Sequence, residues 1–283
     1  MIFDNRLCTL GEGPLWHPER EQMFWFDIVN QKMLSQDRDG PREWRFPEMV
    51  SAAGWVDQDV LLIAGERDLF LFDIESEEVE TVCLLEQDKP KNRPNDGRAD
   101  PFGGFWIGTM GKTEALGAGA IYRFYRGEIR KLYDGISIPN SICFPPDGKS
   151  AHFSDTVTQK VMRVALDENG WPKAAPEVFL DLTAHGFYPD GAVIDAAGVM
   201  WLAQWGASRV AAYMPDGSFL REVNFPAPHT SCPAFAGPNL SALICTTAQQ
   251  GMSPGALLQF PQSGSVFIAE GISKGQREHQ VIL

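Results

Sequence analysis

Short apolar runs dominate the hydrophobic pattern of this chain, whereas apolar positions at helical spacing are rare. The clearest runs are FWFDI, LLIAG, FWIGT, HFSDT, WLAQW and LICTT. They are rich in β-branched and aromatic residues, and Asp-Gly, Pro-Asp-Gly and Gly-Gly turns separate them from their neighbours. This pattern predicts an all-β protein.

The apolar runs recur at a regular interval. Their anchor residues lie 38 to 49 residues apart and are Asp27, Gly65, Thr109, Asp155, Gln204 and Thr246. Such an interval is typical of the four-stranded blade of a β-propeller, whereas sandwiches and barrels require no repeat of this length. We therefore predict a six-bladed β-propeller that spans residues 1–283 as a single domain, with the closing strand supplied by either terminus.

Charge and composition exclude several classes of partner. The formal net charge is −13 at pH 7 and no basic cluster occurs, so we expect neither nucleic acid nor an anionic membrane surface to bind. No segment resembles a secretory signal or a membrane span. The five cysteines are widely spaced and form no C-x-x-C pair, which favours a cytoplasmic protein. The sequence does not indicate an oligomeric state.

Equivalent positions of the six repeats point to one site on the propeller axis. The first strand of each blade lines the central channel, so residues of the same phase converge there. The residues that lie 14 or 15 positions before the anchors are Glu12, Ser51, Asn95, Asn140, Asp190 and Cys232. Calcium, magnesium and manganese prefer oxygen ligands, and we predict that Glu12, Asn140 and Asp190 bind one divalent cation. Zinc is an alternative, although no histidine falls in phase.

Each predicted ligand also has an ordinary interpretation. Glu12 in Gly-Glu-Gly could be a solvated loop carboxylate, and Asn140 after Pro139 could be a turn residue. Asp190 lies in Pro-Asp-Gly, the same tripeptide that surrounds Asp147 and favours an ordinary β-turn. Phase distinguishes the two aspartates, because Asp147 lies only 8 residues before its anchor.

Several longer stretches carry a family resemblance. They are LGEGPLWHP, RPNDGRADPFGGFWIGTM, IPNSICFPPDGK, YPDGAVIDAAGVMWLA and CPAFAGPNLSALICTTA. In these stretches the chain resembles the senescence-marker-protein/gluconolactonase family, which contains regucalcin and bacterial sugar lactonases. The resemblance implies a six-bladed propeller whose metal ligands are Glu12, Asn140 and Asp190. It also implies that Arg93 and Asn95 bind the substrate.

The chemistry of the Arg-x-Asn-Asp-Gly motif agrees with this role. An arginine fork and an amide, as at Arg93 and Asn95, offer directed hydrogen-bond donors to a polyhydroxylated ring, although Arg93 could instead form a surface ion pair. We expect Asp96 to orient neighbouring groups. One departure concerns the substrate: animal members carry an acidic contact just after Gly-Thr-Met, where this chain has Thr113 in register and Glu114 one position later.

The predicted function is hydrolysis of a small sugar lactone, an aldonolactone, to the open-chain aldonic acid. A divalent cation would polarise the carbonyl, and Asp190 would orient the attacking water and accept its proton. A metal-bound hydroxide is the alternative nucleophile, because a metal-bound carboxylate is a weak base.

Two other functions are compatible with the sequence. One is a calcium-dependent phosphotriesterase-like hydrolase, and the other is a non-catalytic cation-binding propeller. The segment GISKG from Gly271 has the spelling of a nucleophile elbow, but it lacks the strand-to-helix context that such a motif requires.

Overall fold

The computed structural model describes residues 1–37 and 39–283. Helical structure in this part of the chain is limited to α1 (Pro254–Gln259) and two 3₁₀ turns, Thr156–Thr158 and Thr183–His185. In chain order the strands of the first half are β1 (Ile2–Asp4), β2 (Gly11–His17), β3 (Gln22–Asp27), β4 (Lys32–Asp37), β5 (Gly40–Arg45), β6 (Ala53–Trp55), β7 (Val60–Ala64), β8 (Asp68–Asp73), β9 (Val79–Leu84), β10 (Asn92–Ala99), β11 (Phe105–Gly111), β12 (Gly119–Tyr125) and β13 (Glu128–Ile136).

The second half of the chain continues the same pattern. Its strands are β14 (Pro139–Cys143), β15 (Ser150–Asp155), β16 (Lys160–Ala165), β17 (Glu177–Asp181), β18 (Tyr188–Ile194), β19 (Met200–Trp205), β20 (Arg209–Tyr213), β21 (Phe219–Asn224), β22 (Thr230–Ala236), β23 (Ala242–Thr247) and β24 (Val266–Ala269). No helix in the described ranges is long and apolar enough to cross a membrane. All five cysteines are free thiols.

The strands form six antiparallel sheets of four strands each within the described residues. In five sheets consecutive strands pair in order, as in β2-β3-β4-β5. The sixth sheet has the order β22-β23-β24-β1, so the closing strand comes from the N-terminal end. The innermost strands β2, β6, β10, β14, β18 and β22 pack side by side in a closed ring. The predicted six-bladed propeller is therefore confirmed.

Burial explains why the strand signal took the form of continuous apolar runs. The second strand of each blade lies between two neighbouring sheets and is buried on both faces, as in β3, β11 and β23. A strand with two buried faces carries a run of apolar residues instead of an alternating pattern. The outermost strands, such as β9 and β21, are largely exposed.

An aspartate holds the turn after the innermost strand in the third blade. Asp100 accepts hydrogen bonds from the backbone N–H groups of Phe102 and Gly104, at 2.8 and 3.0 Å. Its other oxygen accepts from the indole of Trp106 at 3.2 Å. In the fifth blade Asp195 makes the same three kinds of contact, so one local device fixes the first hairpin of both blades.

Asp100 also compensates a buried charge. Arg123 Nε donates to Asp100 Oδ2 at 2.6 Å, and both side chains are fully buried. The guanidinium stacks on the rings of Tyr125 and Trp171, with centroid distances of 4.5 and 4.4 Å. Because the pair is sealed from water, losing either partner would leave an uncompensated charge in the interior.

We expect the substitution Asp100→Ala to lower the free energy of unfolding by about 3–5 kcal/mol, because it leaves Arg123 buried without its counter-charge. Urea unfolding measures the change. The matched control is Asp147→Ala at an exposed turn, where the carboxylate accepts the N–H of Lys149 and the loss should stay within about 0.5 kcal/mol. Equal effects of the two substitutions would contradict this role of Asp100.

That residues 1–283 form one domain stays a prediction, which a single unfolding transition would support.

Candidate active site on the propeller axis

Four of the residues that phase selected line one cavity at one end of the channel. Ser51 and Cys232 are buried nearby and do not line it. The cavity has a volume of about 270 Å³, and Arg93 also lines it. The four residues and their strands are Glu12 on β2, Asn95 on β10, Asn140 on β14 and Asp190 on β18. The structure thus brings every predicted site residue together, while their roles remain predictions.

A repeated irregularity of the innermost strands shapes this end of the channel. Five of them shift register against their second strand, and the shifts follow Glu12, Pro94, Asn140, Pro189 and Thr230. A bulge bends its strand and re-aims the adjacent side chains. Gly13 and Ser141 adopt positive φ angles of 53° and 58° within two of these bulges. The Gly-Glu-Gly spelling at Glu12 therefore supplies the conformational freedom that its bulge requires.

Hydrogen bonds between blades fix the amides of the site. Arg93 Nη1 donates to Asn95 Oδ1 at 2.7 Å, and Asn95 Nδ2 donates to Asn140 Oδ1 at 3.0 Å. Asn140 Nδ2 in turn donates to Thr156 Oγ1 at 2.8 Å. The second hydrogen of Asn95 Nδ2 is donated to Pro139 O at 2.9 Å. Both amide hydrogens of Asn95 are thus used within the protein, and its Oδ1 can still accept one from a ligand.

Arg93 is buried, so it is not the surface ion pair that served as its alternative interpretation. Besides Asn95, its Nη1 donates to Pro94 O at 2.8 Å. Within residues 1–37 and 39–283, its Nε and Nη2 have no hydrogen-bond acceptor. Burial lowers the pKa of Arg93 to about 10, which leaves the group charged at neutral pH. Arg93 therefore presents unused donors to the cavity.

Three carboxyl groups are buried together at the axis. Burial raises the pKa of Glu12 to about 8, and the neighbouring Asp96 adds to the shift. Burial and the charge of Glu12 raise the pKa of Asp190 well above its usual range. Burial also raises the pKa of Asp96 to about 6, although its Oδ2 accepts the N–H of Ile142 at 2.7 Å. The full negative charge is thus unfavourable without a cation.

The donor set at the axis fits a hard divalent cation. Glu12 and Asp190 offer carboxylate oxygens, and Asn140 offers an amide oxygen. In the described part of the chain, no three histidine, cysteine, aspartate or glutamate side chains form a group that could hold a metal ion. A cation here would therefore need the Asn140 oxygen and solvent besides its two carboxylates.

The rim and walls of the cavity include residues that sequence reasoning missed. Tyr188 lies two positions before Asp190, and Trp205 directly follows the anchor Gln204 and stacks on His229 at a centroid distance of 4.1 Å. Thr156 likewise directly follows an anchor. Trp205 and Thr156 each lie one position after an anchor residue, so the repeat also predicts them when the positions after the anchors are included.

Glu114 reaches the cavity from the loop between β11 and β12. It is exposed at the rim, and Gln250 Nε2 donates to its Oε1 at 3.3 Å. Glu114 thus faces the cavity although it falls one position later than the resemblance leads us to expect. Gln250 carried no signal in the sequence, because it comes from a loop of the sixth blade.

Comparisons with known proteins agree with this architecture. Residues 10–249 match the family described as SMP-30/Gluconolactonase/LRE-like region. A provisionally named sugar lactone lactonase of Rhizobium meliloti is 40% identical over 261 residues, which cover 91% of this chain and 88% of that protein. L-arabinolactonase of Azospirillum brasilense is 33% identical over 278 residues, covering 95% and 91% of the two chains.

The crystal structure of the calcium-binding protein regucalcin from Agrobacterium tumefaciens superimposes with a TM-score of 0.97 at 38% identity. The alignment covers 100% of this chain and 97% of the other. The range that matches the family contains Glu12, Asn140 and Asp190 as well as most of the propeller. This chain therefore belongs to the SMP-30/gluconolactonase/LRE-like family.

Proposed function

We propose that this protein hydrolyses a small sugar lactone, an aldonolactone, to the open-chain aldonic acid with the help of one divalent cation. The observation that carries the proposal is the convergence of Glu12, Asn140, Asp190 and Arg93 on one cavity. The relatives support it, since two of them are named sugar lactone lactonase and L-arabinolactonase.

The size and lining of the cavity suit a single sugar ring. A volume of about 270 Å³ lies at the small end of ligand pockets, which usually span about 300–1,000 Å³. Tyr188 and Trp205 provide aromatic surface at the walls, while the predicted site residues lie at the buried end. A single five- or six-carbon lactone ring suits this volume.

A divalent cation, calcium, zinc, manganese or magnesium, would be held by Glu12, Asn140 and Asp190 and would supply polarisation of the lactone carbonyl. Arg93 Nε and Nη2 donate hydrogen bonds to substrate oxygens, and Asn95 Oδ1 accepts one from a substrate hydroxyl. These contacts orient the ring. Asn95 also holds the Asn140 oxygen in place through its own amide.

Asp190 acts first as the general base and then as the general acid. It orients a water molecule towards the carbonyl carbon and accepts a proton as the new C–O bond forms, a contribution of about 10²–10⁴-fold. The ring C–O bond then breaks, and the leaving ring oxygen takes the proton from Asp190. Burial favours this role because it raises the pKa of Asp190, whereas a bound cation would lower that pKa.

We further propose a cytoplasmic location. The five free thiols, of which Cys8, Cys143, Cys232 and Cys245 are buried, support a reducing compartment. The partner that we propose for this function is the small-molecule sugar lactone itself.

The first prediction concerns substrate and cation together. Protein treated with a chelator should lose turnover of pentono- and hexonolactones and regain it with calcium, zinc, manganese or magnesium, because the buried carboxylates need a counter-cation. A pH-indicator assay measures acid release, with the spontaneous opening of each lactone subtracted. A paraoxon-type phosphotriester with the same cations serves as the control. Faster turnover of that ester, or full lactonase activity without a cation, would contradict the proposal.

The second prediction concerns the base. Asp190→Asn should keep the fold and lower kcat by about 10²–10⁴-fold, because an amide cannot accept the proton from water. Asp147→Asn changes the same Pro-Asp-Gly tripeptide at an exposed turn and should leave kcat unchanged. Kinetics and circular dichroism of both variants test this. A nearly normal kcat in a folded Asp190→Asn protein would remove Asp190 from the mechanism.

The third prediction separates binding from chemistry. Arg93→Lys replaces a planar fork by a single point charge, so KM should rise by about 10- to 100-fold while kcat changes little. Steady-state kinetics over a range of lactone concentrations measure the split. Arg130→Lys is the matched control, since Arg130 forms an exposed pair with Glu128. An unchanged KM would exclude Arg93 as a substrate contact.

A further inference from the structure

The C-terminal segment, residues 270–283, crosses the end of the channel opposite to the candidate site. Each innermost strand runs from the site end of the channel to the turn that follows the strand. A strand of five residues, such as β14, spans about 17 Å. The segment contacts this turn region in all six blades. The contacts, from the sixth blade to the first, are Gly275 N to Leu240 O at 2.7 Å, Ala196 N to Lys274 O at 2.9 Å, Gln276 Nε2 to Phe144 O at 3.1 Å, Ile282 N to Gly103 O at 2.8 Å, Val281 N to Trp55 O at 2.9 Å and Arg277 Nη2 to Glu19 Oε1 at 3.3 Å.

One ion pair connects this segment to the axis. Glu278 Oε1 accepts a hydrogen bond from Arg98 Nη1 at 2.5 Å, and the two side chains are 9% and 10% exposed. Arg98 lies on β10, three residues beyond Asn95, and its charge interacts with that of Asp96. Asp96 accepts the backbone N–H of Ile142, two residues beyond Asn140 on β14, and so connects the pair to the strand that carries Asn140.

The charges buried along the axis do not balance by themselves. Six charged groups at the candidate site and in the ion pair, four carboxylates and two guanidinium groups, interact with one another and give a net charge of −2 when all are ionised. The groups are Glu12, Asp96, Asp190 and Glu278, with Arg93 and Arg98. One divalent cation neutralises this set, whereas without Glu278 the net charge would be −1.

We propose that Glu278 is a positioning residue for the cation site: it neutralises Arg98 from the far end of the channel, so that one divalent cation balances the axis. The inference rests on the cation site of the proposed function. Arg98 alone would repel a cation through a poorly hydrated interior, where charges interact over longer distances than in water. The C-terminal segment thereby contributes to a site that it does not contact.

Calcium titration calorimetry on chelator-treated protein tests the charge balance with four variants. Glu278→Gln should raise the calcium Kd by about tenfold or more, because the axis retains a net charge of only −1. Arg98→Gln should bind calcium more tightly than the unmodified protein, since the net charge becomes −3. The double variant Arg98→Gln/Glu278→Gln restores −2, and its Kd should return to within about threefold.

Arg277→Gln is the matched control. It removes the neighbouring exposed pair with Glu19 and should leave the calcium Kd unchanged. Circular dichroism establishes which variants are folded. A purely structural role of the ion pair predicts weaker binding in both single variants and the double variant. That result, or an unchanged Kd in folded Glu278→Gln, would overturn the inference.

If Glu278→Gln does not fold, Arg98→Gln still decides the question. Unchanged or weaker calcium binding by a folded Arg98→Gln protein would contradict the charge argument. Failure of the unmodified protein to bind calcium, zinc, manganese or magnesium would instead refute the cation site itself. The two kinds of failure are therefore distinguishable.

Discussion

Closure of the ring is the constraint on which the rest of the structure depends. Strand β1 pairs with β24, and a bridge between Leu10 and Ala248 joins the first and last blades. Glu12 lies two residues beyond Leu10, so this junction helps to place it relative to Asp190 on the fifth blade. An open fan of the same six sheets would have an identical core between neighbouring blades, but it would have no axis. The site is thus a product of closure more than of any single blade.

Buried carboxyl groups that converge on an axis repel one another, and charged groups on both sides of them reduce this repulsion. The carboxyls of Glu12, Asp96 and Asp190 share a buried space, and burial raises the pKa of each. Arg93 lies on the cavity side, and Arg98 lies on the side of the C-terminal segment. Between them lies the neutral Asn140, which accepts a hydrogen bond from Asn95 and donates one to Thr156. The arrangement is preorganised, since few groups would have to move when a ligand enters.

The repeat made both the fold and much of the site predictable. Continuous apolar runs at blade spacing reflect second strands buried on both faces, and phase identified Glu12, Asn140 and Asp190 without any tertiary information. Phase carries no information about loops, so Gln250 and the approach of Glu114 could not be predicted. It also could not distinguish lining residues from buried neighbours: Cys232 shares the phase of Asp190 but packs behind Gly191. The C-terminal segment follows no repeat, which is why the role of Glu278 was not apparent.

Closure by an N-terminal strand has a consequence for the order of events during synthesis on the ribosome. Blades one to five can form as their strands emerge, but β1 has no partner until Val266–Ala269 has been made. At about 5–20 residues per second, that delay is on the order of tens of seconds. Until the ring closes, the nascent chain has open sheet edges, so chaperones would limit its aggregation.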